Sequence, residues 1–168
     1  AGGANGGAER FFEDLVGAMG RLGIDQSCAI RGYPKRAAVL KEFGCTPSTL
    51  PFAGPMDFLT PWKLRRIAQN WRPQVVLGWM NRACRVLPKG PWTNVGRLGG
   101  YYNLKYYRRC DHLICNTPDI REYVVREGWP SHRAHHIPNF CTVTPGANVD
   151  RSTLQTPQNA KVLLVLAR

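Results

Sequence analysis

Acidic residues are scarce. The 168-residue chain carries 11 Asp and Glu against 23 Lys and Arg, a formal net charge of +12. Such an excess implies an anionic partner: nucleic acid, an acidic membrane surface, or phosphorylated small molecules. No Lys/Arg-rich tail accompanies it, since the cations are spread over Arg31, Lys35, Arg36, Lys63, Arg65, Arg66 and the stretch 82–89. That favours a basic face on a folded domain over a nucleic-acid-binding arm.

Cysteine pairs at metal or redox spacing are absent as well. Cys28, Cys45, Cys84, Cys110, Cys115 and Cys141 are scattered without a C-x-x-C, and His112, His132, His135 and His136 have no cysteines at zinc spacing. No metal site is therefore expected. Cys28 and Cys115 fall in strand-like stretches, where free Cys acts as a small buried hydrophobe, so the reading is reduced thiols in a cytoplasmic compartment. No apolar run approaches the ~18 residues of a membrane span. The opening Ala1-Gly2-Gly3-Ala4-Asn5 has neither an initiator Met nor a basic and apolar leader. It reads as a chain that begins inside a longer polypeptide.

What the chain does have is organised around Gly6-Gly7-Ala8-Glu9-Arg10. Phe11, Phe12, Leu15, Val16, Met19 and Leu22 follow at helical spacing, and Gly23 is placed to cap that helix. A glycine loop entering a helix N-terminus offers free N–H groups and the positive end of the helix dipole, a good seat for phosphates and sugar hydroxyls. A tight turn before an ordinary amphipathic helix is the competing reading.

Strand and helix patterns then alternate. Strands are expected at 26–30, 48–52, 73–79, 93–98, 111–117 and 134–137. Helices are expected at 35–43, from an Asp57 cap to 70, at 81–87, and from a Thr117 cap to 127. A basic, tyrosine-rich turn covers 103–109. The apolar run 73–79 reads as a strand buried on both faces. The alternation implies an α/β class, a Rossmann-like parallel sheet with helices on both faces. Ligands collect at the carboxyl ends of such strands. Those ends hold Asn81, Arg97, Gly99, Tyr101, Asn116 and Asn139, and these, with Gly6 and Gly7, are the candidate substrate-binding residues. Residues 1–141 form the domain and 142–160, rich in Pro, Gly, Thr, Gln and Asn, form a linker. Residues 161–168 are one further apolar strand. The strand that should precede the glycine loop is missing.

Five segments in this order resemble the N-terminal half of a family 4 glycosyltransferase of the retaining GT-B class. They are Gly6-Gly7-Ala8-Glu9, Arg72-Pro73-Gln74-Val75-Val76, Asp111 to Thr117, Ile137-Pro138-Asn139-Phe140, and Val162 to Arg168. The resemblance implies an acceptor domain facing a nucleotide-sugar-binding domain whose first strand is 161–168. It places the Gly6-Gly7 loop at the cleft floor and Arg168 on the donor diphosphate. It requires no metal or other cofactor, and implies a glycan or glycolipid acceptor in cell-envelope saccharide synthesis. Many relatives carry a histidine where this chain reads Arg97-Leu98-Gly99-Gly100-Tyr101, so Arg97 or Tyr101 is left for acceptor binding. The 168-residue piece alone is expected to be inactive, because the rest of the donor site is absent from it.

Two other readings compete. A nicotinamide dehydrogenase needs G-x-G-x-x-G after a strand with an acid about twenty residues on; the glycines here are misspaced and Asp25 precedes its strand. A nucleic-acid-binding module would use the charge and tyrosines, but no recognition motif supports it, and no specific nucleic acid is expected as a partner. A basic, non-catalytic Rossmann-like binding domain remains the alternative to an enzyme. The charge also suggests peripheral docking on an anionic membrane, on its inner face, through Lys35, Arg36, Lys63, Arg65 and Arg66.

Overall fold

The computed structural model describes residues 6–54, 56–141, 146, 156–157, 159–161 and 163. The stretches expected to form the linker, 142–160, and a last strand, 161–168, with Arg168, lie largely outside the described residues. Helix α1 spans Gly7–Arg21 and ends, as its spacing implies, before Gly23 at φ +71°. Leu22, read as part of its apolar face, is instead 77% exposed, because it sits past the last helical turn. Strand β1 (Ala29–Ile30) leads to α2 (Pro34–Glu42) and β2 (Ser48–Thr49). Both strands are shorter than their sequence patterns. Among the described residues they pair only with each other, and Phe52 at φ +46° turns the chain away soon after β2.

Helix α3 covers Leu59–Trp71. Asp57 stands one residue ahead of the geometric cap and still does the capping, accepting from the Thr60 amide at 2.9 Å and the Ala53 amide at 2.8 Å. Then follow β3 (Val75–Trp79), the single-turn α4 (Met80–Cys84) and β4 (Thr93–Leu98). The tyrosine-rich stretch forms a 3₁₀ turn at Leu104–Tyr107. Strand β5 (His112–Cys115), α5 (Pro118–Arg126) and β6 (Ala134–His136) complete the described part. In α5 the Thr117 hydroxyl accepts from the Ile120 amide at 3.2 Å, Pro118 occupies the first turn, and Gly128 at φ +92° ends it.

Among the described residues all pairing is parallel. However, the described strands form two sheets where one was expected: β1-β2, and β3-β4-β5-β6 in sequence order. Between them lies an apolar groove of about 540 Å³, lined by Leu15 and Met19 of α1, Leu64 and Ile67 of α3, Ala29 of β1 and Val76 of β3. Two strand edges and two apolar helix faces bound it. The groove explains why Val75 is 54% exposed although its run reads as buried on both faces. Strand β3 is an edge here.

The main core joins Leu98, Leu113 and Cys115 of the larger sheet to Ile120 and Val124 of α5, with Tyr107 fully buried among them. Gly78 and Gly96 are register partners on β3 and β4. A Cβ on Gly78 would meet Cys84 Sγ at 2.8 Å, and one on Gly96 would meet Cys110 Sγ and the Tyr107 ring at 2.8 Å. The glycine pair hollows the sheet so that two thiols and a ring can fill it. A smaller core unites Val16, Ile30, Leu40 and Cys45.

Candidate functional site

The carboxyl ends of β3 and β4 are tied to the start of α1. Trp79, last residue of β3, donates its indole N–H to the Ala8 carbonyl at 3.0 Å, across 71 residues of chain. Its ring meets Phe12 edge-on at 5.3 Å and lies 5.9 Å from Phe11. The register partner of Trp79 is Arg97. The Arg97 guanidinium lies 4.5 Å from the Trp79 ring centre and 4.8 Å from that of Phe11. Its Nη2 donates to Asn139 Oδ1. Phe140 packs edge-on against Phe11 at 5.1 Å, closing this aromatic box.

Arg97 is 3% exposed, and its Nη1 makes no hydrogen bond. Burial lowers its pKa, countered by the neighbouring Tyr102 and Tyr107. No carboxylate among the described residues forms an ion pair with it. The magnitudes decide what this means. Taking a cation out of water costs several kcal/mol, whereas a ring face returns about 1 kcal/mol. Two rings and an amide leave that cost partly uncovered. An anionic or hydroxyl oxygen at Nη1 would supply a charge-assisted hydrogen bond and make up the difference.

Gly6 has φ 172°, extended backbone open to any residue, and a Cβ on Gly7 would find nothing within 4 Å. The backbone does not require a glycine at Gly6, and close packing does not require one at Gly7. The helix N-terminus at Gly7 stands beside the Trp79–Arg97 box, through the Trp79 bond to Ala8. Gly99 is likewise unforced, since a Cβ there would lie 3.6 Å from Arg97 Nη1 and 3.7 Å from Met80.

Asn81 belongs to a second feature. It follows Met80, which holds φ +64° at the β3–α4 junction, a region costly for a side-chain-bearing residue. The buried Asn81 Oδ1 has no partner. A cavity of about 270 Å³ opens beside it, walled by Arg82, Arg85 and Tyr106 together with Phe52, Gly54 and Asp57. Asn116, two residues before α5, also carries a buried Oδ1 without a partner. Tyr101 is 62% exposed and stands apart, its hydroxyl donating to the Asp119 carboxylate and its ring edge-on to Tyr123 at 5.3 Å. The Asp119 bond pushes the Tyr101 pKa up.

Of the residues singled out from sequence, the structure gathers Gly7, Arg97 and Asn139 around Trp79 and Phe11. Asn81 opens onto its own cavity, and Tyr101 lies over α5. Arg168 falls outside the described residues. Arg36, read as part of a basic docking face, is 3% exposed and gives its Nε to Glu13 at 3.0 Å; it ties α1 to α2 instead. Sequence reasoning missed the aromatic box, because Phe11 fits the helical apolar stripe and Trp79 fits a buried strand. It also missed Arg82 and Arg85 as cavity walls, though both follow directly on the strand end that drew attention to Asn81. Among the described residues no cluster of three or more His, Cys, Asp or Glu could hold a metal ion.

Residues 5–144 match the model of Glycosyltransferase Family 4. The chain is similar to the lipopolysaccharide core biosynthesis glycosyltransferase LpsE of Rhizobium meliloti (strain 1021), at 35% identity over 175 residues, covering 99% of this chain and 49% of that protein. It is similar also to LpsD of the same organism, named likewise, at 33% identity over 169 residues, with 99% and 49% covered. The chain thus spans about half the length of the curated relatives it matches. No solved structure gives a significant match. With a family model covering its whole described α/β unit, glycine loop and carboxyl-end rim included, the chain belongs to glycosyltransferase family 4.

Proposed function

We propose that the full-length protein transfers a sugar from a nucleotide-sugar to an acceptor hydroxyl in cell-envelope glycan synthesis, and that the chain described here supplies the acceptor side. The observation that carries this reading is Arg97, a buried cation with an open Nη1 at the carboxyl end of a parallel sheet, inside a family 4 domain. The relatives named for lipopolysaccharide core biosynthesis support an acidic glycolipid acceptor. In this reading Arg97 Nη1 binds an acceptor oxygen, while the Trp79 and Phe11 rings exclude water and strengthen that contact. Asn81 and Asn116 offer carbonyl oxygens to sugar hydroxyls. The donor enters from a second domain, with the helix N-terminus at Gly7 near its diphosphate and Arg168 stabilising the leaving group. Retention of configuration, independence from metal, a GT-B arrangement, work on the cytoplasmic side and inactivity of the 168-residue piece complete the proposal.

The test uses the full-length protein, a panel of nucleotide-sugars and envelope lipid extract, following release of free nucleotide. Release with one donor, raised by the extract, is the expected result. Arg97→Lys keeps the charge but loses the planar fork and its stacking, so it should raise the acceptor KM about tenfold and leave slow donor hydrolysis unchanged. No release with any donor, with or without extract, would sink the transferase reading.

A further inference from the structure

Just past the carboxyl end of β3 a carbonyl oxygen is buried without a donor. Asn81 lines the cavity of about 270 Å³, and its Oδ1 has no hydrogen-bond partner. Leaving such an acceptor unmade is costly, so whatever occupies the site must bring it a proton donor. The backbone around the cavity is strained as well. Among the described residues three non-glycine residues have positive φ, and two of them stand here. Met80, at +64°, immediately precedes Asn81, and Phe52, at +46°, is part of the wall. Strain of this kind persists only where the surroundings hold it in place, and it concentrates at ligand sites.

The cavity is also cationic. Arg82 and Arg85 wall it, three residues apart on α4 and its cap and therefore on one face. No carboxylate among the described residues forms an ion pair with Arg85. Tyr106 adds an aromatic wall, and Lys105 sets its ammonium 5.0 Å from that ring's centre. Asp57 is the acid in the lining, and a polar clasp takes it up. It accepts from the amides of Ala53 and Thr60 and from the hydroxyl of the fully buried Thr60. That hydroxyl in turn accepts from the Phe52 amide at 3.0 Å. Three hydrogen bonds thus occupy the Asp57 carboxylate, and two guanidinium groups outweigh its charge.

These features narrow the ligand. Guanidinium groups select an oxyanion, which they grip in pairs of charge-assisted bonds. A bare oxyanion would leave Asn81 Oδ1 unmet, because two acceptors repel; the ligand must carry a hydroxyl beside its charge. Pockets for drug-sized ligands begin at about 300 Å³, so this one has room for a single ring. We propose that the cavity binds one acidic sugar. Its carboxylate or phosphate lies on Arg82 and Arg85, a ring hydroxyl donates to Asn81 Oδ1, and its C–H face packs on Tyr106. That this sugar is a unit of the acceptor rests on the glycosyltransferase reading. The site then selects acceptors by charge, while Arg97 holds an oxygen at the neighbouring strand end.

The experiment is a ligand-observed NMR titration of the full-length protein, without nucleotide-sugar, using glucuronate, glucose 6-phosphate, glucose and inorganic phosphate. At least one acidic sugar should bind about tenfold more tightly than both glucose and inorganic phosphate, and less tightly as salt is added. The tighter of the two acidic sugars tells whether the natural charge is a carboxylate or a phosphate. The double variant R82Q/R85Q should lose about tenfold or more and melt like the parent, because both side chains are exposed. Asn81→Leu should lose about tenfold by leaving the sugar hydroxyl unpaired. No binding of either acidic sugar, equal affinity for glucose or for inorganic phosphate, or undiminished binding in R82Q/R85Q would overturn the proposal. Binding is read without turnover, so nucleotide release, measured separately, judges the transferase reading on its own.

Discussion

Arg97 and the cysteines show what single residues contribute. The guanidinium is held by aromatic faces and an amide from the far end of the domain, so its value is positional as well as electrostatic. The thiols show burial acting alone. All six cysteines are free. Desolvation pushes Cys28 and Cys84 well above the ordinary thiol value and Cys115 up to about 11. Since only the thiolate attacks, titration with an aromatic disulfide at pH 8 should find one fast thiol, the exposed Cys141. The other five should react only as the fold opens. Two or more fast thiols would mean that the cores are less closed than described.

At the scale of elements, the Asp57 clasp and the Gly78–Gly96 hollow make opposite demands. Hydrogen bonds from Thr60, then from backbone amides, hold the Asp57 carboxyl below its ordinary value. Its stabilising contribution is therefore complete above about pH 4 and is lost as pH falls through the lowered value of the folded state. Asp57→Asn should reduce the melting temperature at neutral pH and flatten that acid limb. A variant as acid-sensitive as the parent would show that the clasp is not where the protons act. The hollow has no slack. Gly96→Val would drive methyls into Cys110, Tyr107 and Leu113, and should cost about 1–3 kcal/mol or more by denaturant unfolding.

Over the whole molecule, the two sheets are unequal. The larger has four strands and a core of fully buried side chains, while β1 and β2 pair over two residues beside the apolar groove. Opening free energies should differ accordingly. Hydrogen exchange is expected to be fast at Ala29 and Ile30 and slow at Leu113 to Cys115. Uniform protection would mean that the groove is closed in solution.

Local signals account for what could be read before folding. Thr117, Pro118 and Gly128 bracket α5, and Gly23 and Gly44 stop their helices, because caps and left-handed glycines act within one turn of chain. Alternating patterns likewise carry the parallel α/β class, and the strand ends pointed to Arg97, Asn81 and Asn139. Pairing lengths were less legible, since β1 and β2 depend on a neighbour that a pattern does not see. The order and kind of elements, and the family, were thus determined by sequence alone, because each rests on contacts close in the chain or on motifs in register. Tertiary structure alone decided that Trp79 seats on Ala8, that Arg97 spans 42 residues to Asn139, and that Arg36 is buried while Phe58 and Trp62 are not. Such outcomes depend on which faces meet in three dimensions, and helical or strand periodicity shows that a face is apolar without showing what covers it.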